Sequence, residues 1–157
     1  MKFYLIDDDA SVCNILKIII QQKKLGEVCG SASNGVDALE DLRFIHPDII
    51  IVDLLMPIMD GINFVRKAKE LYPDICYVML SQVSSKEMVA QAYECGVTFF
   101  LQKPVNGGRS GADQRRRFHP DETHLPADAV AVYAGRAGKY ACRTGAGAQA
   151  VVRAAGG

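Results

Sequence analysis

Over the first 106 residues, apolar and polar positions alternate in blocks that read as strand, loop and helix, repeated. Residues 2–6 (KFYLI) predict a short strand, stopped by Asp7-Asp8-Asp9. Val12, Ile15, Leu16, Ile19 and Ile20 then recur at helical spacing. Val28 to Ala32 predicts a second, weaker strand. Ser33-Asn34-Gly35 supplies turn chemistry, and Val36, Ala38, Leu39 and Leu42 predict a helix that ends before His46-Pro47. The run IIIV at 49–52 is wholly apolar and β-branched, the mark of a central strand covered on both faces, and it stops at Asp53.

The unit then repeats. A loop over 54–61 with Pro57 and Gly61 leads to a helix carrying Phe64, Val65, Ala68, Leu71 and Tyr72, and Pro73-Asp74 breaks it before a strand at 75–80. After Ser81 a helix fits 85–95 with Gly96 as its C-cap, and a last strand spans 98–102 before Lys103-Pro104. Five strands alternating with four helices, joined by short right-handed crossovers, predict an α/β fold: a doubly wound, five-stranded parallel sheet with helices on both faces.

Four polar stops end these strands: the acidic cluster, Asp53, Ser81 and Lys103. In an open parallel sheet they converge at the carboxyl ends, where such folds place ligands. Adjacent carboxylates repel, so Asp7 and Asp8 call for a cation, and Mg²⁺ is the hard, oxygen-seeking choice. Asp53 can serve as metal ligand and as nucleophile, since carboxylates form acyl phosphates. Lys103 and the Ser81 hydroxyl can hold phosphoryl oxygens as charge shifts among them. Taken singly, each position also has a plain structural reading: Asp8 or Asp9 as a helix cap, Asp53 as a turn residue, Ser81 as a cap or strand end, Lys103 as a solvated surface residue.

The chain has 18 basic and 18 acidic residues, which excludes an overall bias toward nucleic acid or membrane. The balance hides a split: up to Asn106 there are 10 Lys/Arg against 14 Asp/Glu, and beyond it 8 against 4. All twelve isoleucines precede Gly107, after which Ala, Gly and Arg dominate. We therefore read residues 1–106 as one domain and 107–157 as an atypical tail, linker-like or disordered, of frameshifted or fusion-derived character. The periodicity that a fifth helix requires stops at Asn106, so that helix is expected to be missing or replaced by the tail; if nothing replaces it, apolar sheet surface is left bare and the domain is less stable or self-associating. Cys13, Cys29, Cys76, Cys95 and Cys142 form no CxxC pair and read as small hydrophobes of a reducing compartment. With no apolar run of transmembrane length, the expected location is the cytoplasm.

The DDD cluster, DLLMPIMDG around Asp53, Ser81 after its apolar strand, and Lys103-Pro104 preceded by Phe100 together closely resemble the CheY-like receiver domain of two-component response regulators, over residues 2–106. The resemblance implies a flavodoxin-like receiver with Asp53 as phosphoacceptor. It implies Mg²⁺ held by Asp7, Asp8, Asp53 and the backbone carbonyl of Leu55. It also makes Ser81 the switch hydroxyl, Phe100 the switch aromatic and Lys103 the phosphoryl-binding lysine, with a cis Lys103-Pro104 bond. Phe100 also fits plain core. SQVSSKEMVAQAYECGVTFFLQKPVN is similar, more narrowly, to receivers of glutamine-responsive regulators with a YcbB-type DNA-binding output domain.

The implied partner is a sensor histidine kinase. Homodimerisation would use the face of the fourth helix and fifth strand, and DNA would be reached only through an output domain not present here, to control transcription in a full-length regulator. No enzyme activity is expected beyond self-phosphorylation and autodephosphorylation. Leu55 and Gln82 would flank the phosphoryl group and, by restricting in-line water, lengthen its lifetime. Dephosphorylation half-lives of Leu55→Asn and Gln82→Ala check this, and unchanged values discard it. Two other functions fit parts of the sequence: a Mg²⁺-dependent phosphohydrolase with an aspartyl nucleophile, and nucleic-acid binding through Arg115-Arg116-Arg117.

Overall fold

The computed structural model describes residues 1–83 and 85–103. Nine elements alternate along them: β1 (Lys2–Ile6), α1 (Ala10–Gln22), β2 (Glu27–Ala32), α2 (Gly35–Asp41), β3 (Ile49–Asp53), α3 (Gly61–Leu71), β4 (Cys76–Ser81), α4 (Lys86–Glu94) and β5 (Phe99–Gln102). The five strands form one sheet in the order β2-β1-β3-β4-β5, every pair parallel. The order reverses direction between β1 and β3, which creates a crevice at their carboxyl ends.

Side chains alternate across a strand, so a sheet packed on both faces needs apolar residues at every position. Phe3, Leu5, Ile49, Ile51, Val78, Leu80 and Leu101 point to one face and pack with Cys13, Leu16, Ile19 and Ile20 of α1. Tyr4, Ile6, Ile50, Val52, Tyr77, Met79 and Phe100 point to the other, against Ala38 of α2, Phe64, Val65 and Ala68 of α3, and Ala92 of α4. The stripe of α1 differs from the expected one: Ile15 is exposed, and Cys13 takes a buried place instead. The helix turns 100° per residue, so the row 13, 16, 20 faces the sheet and 15 and 18 lie off it.

Each helix starts on a side-chain cap. Asp9 accepts from the Ser11 N–H, Asn34 from Val36 and Asp37, Asp60 from Asn63, and Ser85 from Met88. Ser85 is thus outside α4, which closes at Cys95 with Gly96 following at φ 106°, as a C-terminal glycine should. Between β1 and β2 the register slips after Phe3, leaving Tyr4 opposite Gly30, where an added Cβ would lie 2.7 Å from the Tyr4 ring.

The place of a fifth helix, the tail and Pro104 lie outside the described residues. Cys76, Val78, Leu80 and Leu101, on the sheet face shared with α1, are all buried.

Candidate functional site

β1 and β3 are adjacent and parallel, so the residues that end them come together. Asp7 follows β1 and Asp53 closes β3; with Asp8 they place carboxylate oxygens within 4.8 Å of one another. Asp7 and Asp53 are only 4 % and 5 % exposed, while Asp8 faces solvent. The Asp7 backbone N–H donates to the Ala32 carbonyl at 3.1 Å, and its Oδ1 accepts from the Asp9 N–H at 2.9 Å. Asp9 itself is the cap of α1, so the acidic run divides into two residues aimed at the crevice and one that starts the helix.

Lys103 completes the cluster from the end of β5. Its N–H donates to the Ser81 carbonyl at 2.8 Å, which ties the ends of β4 and β5 together. Its Nζ then donates to Asp7 Oδ2 at 2.8 Å and lies 3.1 Å from Asp53 Oδ1. One ammonium therefore bridges two withdrawn carboxylates. Burial pushes the Asp53 pKa up; the charge of Lys103 opposes this, but Asp7 and Asp8 add to it and the shift stays upward. Burial alone would lower Lys103, yet its hydrogen bond to Asp7 and the charges of Asp53 and Asp7 together leave it raised. The two shifts agree physically: two carboxylates share one lysine, so the lysine is overcompensated and Asp53 undercompensated.

The loop after β3 folds back over Asp53. The Leu54 N–H donates to the Leu80 carbonyl at 2.8 Å and the Gly61 N–H to the Leu54 carbonyl at 2.9 Å. A Cβ on Gly61 would fall 2.3 Å from the Asp53 carbonyl oxygen, so only glycine fits there. The Leu55 side chain is exposed above this loop, and Gln82 is exposed after β4.

Ser81 is buried at the end of β4, with its hydroxyl turned toward its own loop. The Oγ donates to the Val83 carbonyl at 2.6 Å and accepts from the Val83 N–H at 3.0 Å. Phe100 is buried in the core opposite Met79. Asp7, Asp8, Asp53 and Lys103 are thus brought together, whereas the Ser81 hydroxyl bonds to Val83 and Phe100 lies in the core. Sequence reading missed the Ser81–Val83 ring, which runs to backbone atoms and leaves no signal in residue type. It also passed over the packing role of Gly61, for which the cue was a glycine directly behind the capping Asp60.

A family model for the response regulator receiver domain matches residues 3–110. The chain belongs to the response regulator receiver family. Transcriptional regulatory protein GlnL of Bacillus subtilis is 43 % identical to this receiver over 107 residues, 68 % of this chain and 34 % of GlnL. Chemotaxis protein CheY of Thermotoga maritima is 32 % identical over 108 residues, 69 % of this chain and 90 % of CheY. The chain therefore spans about a third of the length of GlnL. Among solved structures, the signal receiver domain of a signal transduction histidine kinase from Syntrophus aciditrophicus aligns with TM-score 0.70 at 24 % identity, over 92 % of this chain and 95 % of that one. The BeF3-activated DrrB receiver domain aligns with TM-score 0.60 at 28 % identity, over 67 % of this chain and 86 % of that one. As a receiver, the protein is a phosphoacceptor module of two-component signalling. Among the described residues no helix is long and apolar enough to cross a membrane.

Proposed function

We propose that Asp53 is the phosphoacceptor, taking a phosphoryl group from a histidine kinase. The observation that carries this reading is the withdrawn carboxylate of Asp53 held 3.1 Å from the Lys103 ammonium, with Asp7 and Asp8 alongside. A carboxylate oxygen of Asp53 forms the new O–P bond, the N–P bond of a phosphohistidine breaks, and the imidazole leaves with a proton from solvent. Lys103 stays within reach of the incoming oxygens and offsets their charge.

The donor set fits a hard divalent cation: three carboxylates with oxygens within 4.8 Å, two of them buried, and one ammonium shared between two of them. Asp7, Asp8, Asp53 and the Leu55 carbonyl are the residues that would hold Mg²⁺. When bound, it supplies positive charge against the phosphoryl oxygens.

The added group carries about −1.5 to −2 charge at pH 7. The Ser81 hydroxyl then leaves Val83 for a phosphoryl oxygen, Phe100 repacks, and the face formed by α4 and β5 changes shape. That face is our candidate for a homodimer contact. Control of transcription, which the name of GlnL states for that protein, is the reading we favour for a longer regulator, exerted there through an output domain. Leu55 stands two residues after Asp53, where an aspartyl phosphohydrolase needs a second carboxylate, which favours a signalling acceptor over a turnover enzyme.

Incubation with acetyl phosphate and Mg²⁺, followed by intact mass, tests the assignment. The wild type gains one phosphoryl group and Asp53→Asn gains none. Equal labelling of the two would move the acceptor elsewhere.

A further inference from the structure

Among the described residues, one buried side-chain polar atom has no hydrogen-bond partner: Oε1 of Gln102, the last residue of β5. A buried acceptor left without a donor costs free energy, so its presence calls for a reason. Gln102 stands opposite Ser81 in the parallel register of β4 and β5. Residues two apart on a strand share a face, and Met79 and Phe100, two positions before Ser81 and Gln102, both pack on the side of α3 and α4. The two polar side chains are therefore neighbours on that face, on strands about 4.8 Å apart. Ser81 cannot satisfy the amide oxygen, because a hydroxyl has a single hydrogen and Ser81 gives it to the Val83 carbonyl. The same Oγ accepts from the Val83 N–H.

We propose that Gln102 is a positioning residue of the phosphorylation switch: its amide oxygen takes the Val83 N–H when the Ser81 hydroxyl leaves that N–H for a phosphoryl oxygen. The inference rests on Asp53 being the acceptor and Ser81 the switch hydroxyl. The Val83 N–H points inward, to the Oγ of a residue only 1 % exposed, so the departure of Ser81 would leave it stranded beside the orphaned oxygen. In the resting protein the donor is held and the acceptor is not; after transfer each finds the other. The unpaired oxygen thus weighs on the resting state alone, and a group at Asp53 shifts the equilibrium more readily because of it. Methionine would fill similar space with no such bias. The amide oxygen is what sets glutamine apart here.

The test measures binding of beryllofluoride, a phosphoryl mimic, in excess Mg²⁺ by calorimetry, for wild type, Gln102→Met, Ser81→Ala and the double variant. Without the mimic, Gln102→Met should unfold at no lower temperature than wild type, since an unpaired buried oxygen is removed. It should nevertheless bind the mimic about tenfold more weakly. In the Ser81→Ala background the Val83 N–H is free in both states, so the same change should alter affinity by less than about twofold. The Val83 amide of the liganded wild type should exchange slowly with deuterium, and that of liganded Gln102→Met quickly. Equal affinity of wild type and Gln102→Met overturns the role. So does an equal loss in both backgrounds, which would make Gln102 a packing residue. A lower unfolding temperature of free Gln102→Met also overturns it, because the oxygen would then already be paired. If the mimic fails to bind wild type, or binds Asp53→Asn equally well, the acceptor reading itself fails and the inference with it.

Discussion

At the amino end of the sheet, Lys2, Glu27, His46 and Asp48 surround an open recess of about 500 Å³, and all four are exposed. At the carboxyl end, Asp7, Asp53 and Lys103 are withdrawn and bonded to one another. Asp48 accepts a backbone hydrogen bond from Lys2 at 2.7 Å, and its own N–H donates to the Lys2 carbonyl at 2.9 Å, so it closes the sheet edge locally. Similar residue types thus do unlike things, and the difference is solvent. Water screens charges at one end, while at the other low exposure makes each carboxylate depend on a specific cation.

The largest expected effect comes from removing that cation. Lys103→Met leaves Asp7 and Asp53 buried without their ammonium and should lose about 3 kcal/mol of unfolding free energy by urea titration in EDTA. Asp48→Ala, at the opposite end, should cost under about 1 kcal/mol. Equal losses would dissolve the contrast between the two ends. Added Mg²⁺ should restore part of the loss in Lys103→Met, since a ligand that binds only the folded state stabilises it.

Alkaline titration sharpens the same contrast. Lys103 holds its proton more tightly in the folded protein than in the unfolded chain. Its contribution is therefore complete below the ordinary lysine value near ~10.4 and is lost as pH rises through the raised one. The stability gap between wild type and Lys103→Met should narrow above that range. Tyr4 and Tyr77, both pushed up mainly by burial, also destabilise at high pH but are common to both proteins. Asp53 has the opposite sense to a paired surface carboxylate: with its pKa raised, the folded protein binds its proton more tightly, so ionising it costs stability as pH rises through the acid range.

A smaller effect than at Lys103 is expected at Ser81. Ser81→Ala removes both hydrogen bonds to Val83 and should cost about 1 kcal/mol in the unphosphorylated protein, read by thermal unfolding. No change would show that the ring adds nothing to the resting state.

Much of this was legible in the sequence for a local reason. The run IIIV has to be covered on both faces, and a charged residue after such a run has to sit where the sheet ends. That logic located Asp7, Asp53, Ser81 and Lys103 at one edge and predicted the five strands. It was weaker where several positions of one residue type compete. It put Ile15 in the buried stripe of α1, whereas the helix carries it off the sheet and Cys13 inward. It left open which aspartate caps α1; the backbone path after β1 assigns this to Asp9.

The sequence by itself determined which residues stand at the strand ends, because burial of alternating side chains is a constraint each strand carries along its own length. Only the tertiary structure decided what those residues do to each other. Lys103 meets Asp7 across 96 positions of chain, the Ser81 hydroxyl points to Val83 and not to Asp53, and Ile58 adopts a backbone that its type disfavours. Such pairings depend on strand order, register and loop path, and these are set by the packing of the whole sheet.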